Sequence, residues 1–255
     1  MGIAIITGAS SGMGQEFARQ LKNQETFDEV WVIARREDRL RALQEELAIP
    51  MRILPMDLTE RESFEQYREL LEKERPQVSL LINASGFGRF GRYDAIALKD
   101  SLEMIDLNCK ALVAITELTL PYIEDSGRIL QVDSLSAFQP VPYLNVYGAT
   151  KSFVLHYSQG LKAELKDRKI HVMAFCPGWV KTEFFNRAEQ GEQKVITYFN
   201  KVFTAEEVVR CALKDLKKKR SVCVPSLKNK LQVLGVKFLP TSLVLKIWMK
   251  QQKFD

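Results

Sequence analysis

A chain of 255 residues, 46% of them hydrophobic, is long enough to bury one substantial core. No apolar run is long enough to span a bilayer, and no secretory leader precedes "GIAIITG", so a cytoplasmic protein is expected. The formal net charge of +5 gathers mainly in the C-terminal third, around "KDLKKKRS", and not along a basic stripe interleaved with aromatics, so no nucleic-acid partner is expected.

In chain order, seven short runs rich in β-branched residues read as strands: "GIAIIT", "EVWVIA", "MRILPM", "SLLIN", "RILQV", "IHVMAF" and "SVCVP". Amphipathic helical stretches separate them. Parallel strands need a helix in each crossover, so this alternation predicts a doubly wound, Rossmann-like α/β domain of three layers, α/β/α, over about seven strands. Residues 1–255 show no linker or repeat and are expected to form a single domain. After the sixth strand, "FFNRAEQGEQKVITYFNKVFT" carries no strand signal and is expected to form a substrate lid over about 184–204. The tail over about 227–255 mixes apolar residues with regularly placed lysines and breaks at Pro240. Two readings of it compete: a basic amphipathic surface on a membrane, or a segment that closes the pocket or packs on a second subunit.

The first strand runs through "TGASSGMG" into a helix, with Gly8, Gly12 and Gly14 at the turn. Small residues there let backbone N–H groups approach a pyrophosphate at the positive helix end, although glycines in a turn also serve turns alone. The spacing is G-x-x-x-G-x-G, not the general G-x-G-x-x-G. At the end of the second strand, Ala34 stands where a carboxylate would hold the ribose hydroxyls of NAD, and Arg35 and Arg36 follow. A 2′-phosphate needs a cation and no facing anion, so NADP is expected; the competing reading is that Arg36 and Arg39 solvate a helix start.

Cys109, Cys176, Cys211 and Cys223 lie far apart without a CxxC pair, and His156 and His171 lack partners at metal-ligand spacing. The cysteines read as core thiols, the histidines as structural, and no metal is expected.

Taken together, these motifs resemble the short-chain dehydrogenase/reductase family over roughly residues 3–183. The match rests on "TGASSGMG" at 7–14, "MDL" at 56–58, "NASG" at 83–86, Asn108, Ser134, Tyr147 with Lys151, and "PGWVKT" at 177–182. The resemblance implies a cofactor cradle of Gly8, Ser10, Ser11, Gly12, Met13 and Gly14, with adenine contacts from Asp57 and Leu58. It implies that Asn83, Ala84 and Gly86 run beside the ribose, and that Pro177, Gly178, Val180 and Thr182 line the nicotinamide. Ser85 departs slightly, since the family more often carries alanine or asparagine there. By the same resemblance, Lys151 grips the nicotinamide ribose, Asn108 holds a water linking Lys151 to solvent, and the long helices near 100–123 and 146–167 build a homodimer or homotetramer.

Tyr147 and Lys151, four apart in a helical stretch, stand one turn apart on one side, beside a supposed packing face of Val146, Ala149, Phe153, Tyr157, Leu161 and Leu165. Taken alone such a pair is as readily structural. Reducing a ketone, however, puts negative charge on oxygen, and a positioned acid must deliver a proton there. A nearby ammonium is expected to lower the phenol of Tyr147 from its usual value, and the Ser134 hydroxyl to bond the substrate carbonyl. The expected function is an NADP-dependent carbonyl reductase or alcohol dehydrogenase whose substrate is bulky and apolar, such as a fatty acyl compound or a steroid. The alternatives are a catalytically quiet dinucleotide sensor and a membrane-associated scaffold.

Overall fold

The computed structural model describes residues 2–188 and 195–253. Its order is β1 (Ile3–Thr7), α1 (Gly12–Lys22), β2 (Val30–Ala34), α2 (Glu37–Leu47), β3 (Met51–Pro55), α3 (Arg61–Glu74) and β4 (Val78–Asn83). Next come α4 (Leu98–Ile105), a π-helical turn (Asp106–Lys110), α5 (Ala111–Thr119), β5 (Ile123–Val132), α6 (Asn145–Glu164) and β6 (His171–Phe175). The chain ends with β7 (Trp179–Lys181), α7 (Phe184–Ala188), β8 (Val202–Thr204), α8 (Ala205–Lys217), β9 (Val222–Cys223), α9 (Leu227–Phe238) and α10 (Thr241–Gln251).

All seven expected strands join one parallel sheet in the order β3-β2-β1-β4-β5-β6-β9. Strand order reverses between β1 and β4, so their carboxyl ends leave a crevice where such sheets take ligands. Alternation of side chains splits the core in two. Ile6, Val32, Ile82 and Phe175 face α1, α2 and α8, while Ile5, Ile33, Leu81 and Val172 face α3, α5 and α6. Phe17 of α1 is fully buried and meets the edge of Phe175 with centroids 6.0 Å apart. Phe17→Ala is expected to cost about 3–5 kcal/mol, read as a lower urea midpoint at unchanged slope.

Three expectations need correction. The stretch expected to lack strands contributes β8, which pairs in parallel with β7 through Trp179↔Val202, Val180↔Phe203 and Lys181↔Thr204. A three-residue strand is too short to show alternation, so its pairing partner is what defines it. Residues 189–194 of the expected lid lie outside the described residues. The second correction concerns α6, whose buried side is Gly148, Thr150, Lys151, Val154, Leu155, Ser158 and Leu161. Of the supposed packing face, Phe153 is 44% exposed and stacks on Tyr157 at the surface. Third, Cys211 and Cys223 are not apart in space: their sulfurs lie 3.9 Å from each other across the α8–β9 turn.

Candidate active site

The glycine loop is shaped by close backbone contact. Gly8 has φ +69° and Gly12 φ +56°, both in the left-handed region, and a Cβ on Gly14 would lie 2.3 Å from the Gly8 carbonyl oxygen. Ser11, at the N-cap of α1, makes no side-chain cap bond, and the first turn holds no acidic residue. Its leading N–H groups and the positive helix end are therefore suited to an anion. The loop closes against Thr182, whose Cβ would stand 3.3 Å from a Cβ on Gly12. Thr7 fastens the neighbouring turn, its hydroxyl accepting the N–H groups of Ala84 (3.0 Å) and Ser85 (3.1 Å). Asn83 is buried and donates to Thr116 at 2.9 Å beneath the same turn. These features fit a dinucleotide phosphate.

Arg35 and Arg36, both expected at the 2′-phosphate, take different partners. Arg36 donates to Ser11 Oγ (2.8 Å) and Ser10 Oγ (3.3 Å) on the glycine loop and pairs with Glu183 (2.9 Å). Arg39 also pairs with Glu183. Arg35 instead leans toward Asp57, at 3.4 Å. Burial pushes the Asp57 carboxyl upward, but hydrogen bonds from Thr59 and the Arg35 cation outweigh it and leave it below its usual value. Arg36, expected with Arg35 to meet the 2′-phosphate, thus lies against the glycine loop.

On the other side of the crevice, Ser134, Tyr147 and Lys151 converge. Ser134 follows the end of β5, and its hydroxyl accepts the Ser136 N–H at 3.2 Å in the cavity wall that also holds Tyr147. Lys151 is 5% exposed, donates to the Val132 carbonyl at 2.8 Å, and sits 5.8 Å from the centre of the Tyr147 ring. The expected lowering of the phenol is not found. Burial raises Tyr147 above its usual value, with only the nearby Ser134 hydroxyl acting downward, while the ammonium is turned to Val132. Tyr147 therefore holds its proton through neutral pH.

Asn108 is buried in the π-helical turn, a distortion common at functional sites. Its oxygen accepts the Phe87 N–H (3.0 Å), and its amide donates to the Phe87 carbonyl (2.9 Å) and to Thr150 (3.0 Å). The side chain thus clamps the loop that follows β4 to α6. Gly86 lets these parts approach: a Cβ there would fall 2.9 Å from Asn108 Oδ1 and 3.7 Å from Lys151 Nζ.

One residue was missed. Asp133 precedes Ser134, is 2% exposed, and its carboxylate accepts the Cys176 thiol at 3.5 Å beside Lys151. Burial pushes it up to about 7, with Lys151 pulling the other way. Between about pH 4 and 7 the folded protein then holds a proton that the unfolded chain has released, so this group makes stability fall as pH rises. Asp133→Asn is expected to remove that component. Urea midpoints at pH 5 and pH 8 check it: the variant should gain relative to the parent at pH 8.

Tyr147 forms one wall of a cavity of about 370 Å³. Leu135, Val141, Trp179, Phe184, Val236 and Trp248 line much of the remainder, so α9 and α10 close it from above. Phe184 packs on Tyr147 with centroids 5.3 Å apart, and Trp179 meets the edge of Phe199 at 4.9 Å.

A parallel switch-point sheet with a glycine cradle on one side and Ser134, Tyr147 and buried Lys151 on the other defines an oxidoreductase acting between CH–OH and C=O groups. The chain belongs to the short-chain dehydrogenase family, whose model matches residues 2–193. It is 34% identical over 189 residues to serine 3-dehydrogenase of Agrobacterium fabrum, covering 72% of this chain and 74% of that one. It is 33% identical over 214 residues to the NADP-dependent 3-hydroxy acid dehydrogenase YdfG of Escherichia coli strain K12, covering 81% and 85%. The structure of a short-chain dehydrogenase from Sphingobium yanoikuyae in complex with NADPH is similar at TM-score 0.79 and 28% identity, over 92% of both chains.

Proposed function

We propose that the protein is an NADP(H)-dependent carbonyl reductase for a bulky, mostly apolar ketone or aldehyde, working in the cytoplasm. The observation that carries this is Ser134 and Tyr147 together in the wall of an apolar cavity, with Lys151 beside the Tyr147 ring. The names of the two curated relatives carry serine and 3-hydroxy acids. Here the aromatic and aliphatic lining favours a larger, less polar molecule.

When bound, the dinucleotide supplies or takes up the hydride. Gly8 to Gly14, with Ser10, Ser11 and Met13, would hold its phosphates, and Arg35 and Arg36 the 2′-phosphate. Pro177, Gly178, Val180 and Thr182 would line the nicotinamide. Tyr147 donates its phenolic proton to the carbonyl oxygen, and Ser134 donates a hydrogen bond to the same oxygen as charge develops. Lys151 holds the ribose, Asn108 keeps the Phe87 loop against α6, and the water relay through Asn108 belongs to this same reading. We read the exposed face of Leu98, Leu102, Ile105 and Phe153 as the contact of a homodimer or homotetramer.

Loss of NADPH absorbance against a panel of ketones, aldehydes, acyl compounds and steroids tests the proposal. Large apolar ketones should turn over best; turnover confined to serine or 3-hydroxy acids would reject the substrate class. Arg35→Ala and Arg36→Ala are each expected to weaken NADPH binding by roughly 10- to 100-fold while sparing NADH, measured by fluorescence titration. Equal losses for both nucleotides would remove the arginines from the 2′-phosphate.

A further inference from the structure

Helices α9 and α10 present two different faces. Toward the body, Val236, Leu239 and Val244 line the cavity, and Trp248 donates to the Pro142 carbonyl at 3.1 Å. Gln252 accepts the backbone N–H groups of Thr197 (2.9 Å) and Tyr198 (3.0 Å), so the hairpin is anchored. Away from the body, Leu227, Leu231, Leu234 and Phe238 recur at helical spacing as one stripe, 73%, 60%, 52% and 80% exposed. Leu243 on α10 adds a fifth side chain at 42%. Contiguous apolar surface of this kind marks an interaction site.

Charge decides what covers it. Between Asp215 and Asp255 the sequence has no aspartate or glutamate. The same two helices and the turn after them expose Lys228, Lys230, Lys237, Lys246, Lys250 and Lys253. A second copy seated here would bring two such lysine sets together across a two-fold axis, with no carboxylate in either segment to meet them. An anionic bilayer offers both an apolar layer for the stripe and negative headgroups for the lysines. The helices are 12 and 11 residues long, and no described helix is long and apolar enough to cross a membrane, so the contact lies along the surface. Both helices also fall beyond residues 2–193, the part matched by the family model.

We propose that the outer face of α9 and α10 docks the protein on the surface of an anionic phospholipid bilayer. Lys228 and Gln232 of α9 and Gln251 of α10 are exposed and also line the cavity, so docking holds the cavity mouth at the headgroups. Delivery of an apolar carbonyl compound from the bilayer rests on the function proposed above; the docking itself does not.

The test is sedimentation of the full chain with vesicles of phosphatidylcholine alone or mixed with phosphatidylglycerol. The expected result is binding to the anionic vesicles, weakened by salt, and far less binding to the neutral ones. Leu231→Glu with Phe238→Glu should weaken it by roughly 100-fold, and Lys237→Glu or Lys246→Glu by at least about fivefold each. Unchanged thermal unfolding by circular dichroism shows that these variants fold. Parent protein left in the supernatant with anionic vesicles overturns the proposal. So does a solution dimer that Leu231→Glu with Phe238→Glu dissolves while vesicle binding persists, because the stripe then belongs to a second copy. Vesicle binding without turnover of any carbonyl compound upholds docking and rejects the reductase reading alone.

Discussion

Tyr147→Phe is expected to lower carbonyl reduction about 10²- to 10⁴-fold while leaving NADPH affinity within about threefold. The reasoning is local. The ring packs on Phe184, a contact phenylalanine keeps, so cavity shape and stability should change little. What disappears is the hydroxyl that shares the cavity wall with Ser134, and with it the acid assigned to the carbonyl oxygen. Because burial holds the phenol above its usual value, the acid is fully protonated at neutral pH, and the parent's reductive rate should not require acidic conditions. Single-turnover kinetics with NADPH separates hydride transfer from nucleotide binding. A variant within about tenfold of the parent in that step would remove Tyr147 from the acid's role.

Gly14→Ala is the second large effect. The added carbon would lie 2.3 Å from Gly8 O and 2.6 Å from Gly8 C, which are backbone atoms fixed by the β1 turn. Gly8 N–H donates to the Ile33 carbonyl at 2.8 Å, so the turn has little room to retreat. The chain must move α1 outward, and displacement of its leading N–H groups should weaken NADPH by about 10²-fold. Overpacking should also cost about 3 kcal/mol in urea unfolding. Gly160→Ala on α6 is the control: a Cβ there meets nothing within 4 Å, and stability should rise by up to about 1 kcal/mol. Undiminished NADPH affinity in Gly14→Ala would show that the loop does not carry the phosphates.

The seven sheet strands and the Ser134, Tyr147 and Lys151 constellation were legible because each has a local signature. Strands buried on both faces read as continuous apolar runs, and the chemistry sits at fixed intervals along the chain. Other features depend on contacts distant in sequence. Arg36 reaches Ser10 and Ser11 across 26 and 25 positions, and Glu183 joins it from 147 positions away. The pairing of β7 with β8 and the approach of Cys211 to Cys223 likewise exist only after the chain has turned back. Asp133 did leave a trace, a carboxylate immediately after the run "RILQV" and directly before the serine. Of the packing face expected on α6, Leu161 and Leu165 are buried and Phe153 is not, and the buried side also carries Thr150, Lys151 and Ser158, which hydrophobicity alone does not mark.

The short β7–β8 ladder bears on how such an enzyme changes its diet. Thr204, the register partner of Lys181, is also the N-cap of α8, so the chain passes from beside β7 directly into that helix. Phe184, Phe185, Tyr198 and Asn200 from the stretch between the two strands line the cavity, so exchanges there alter its lining while the ladder keeps both ends in register.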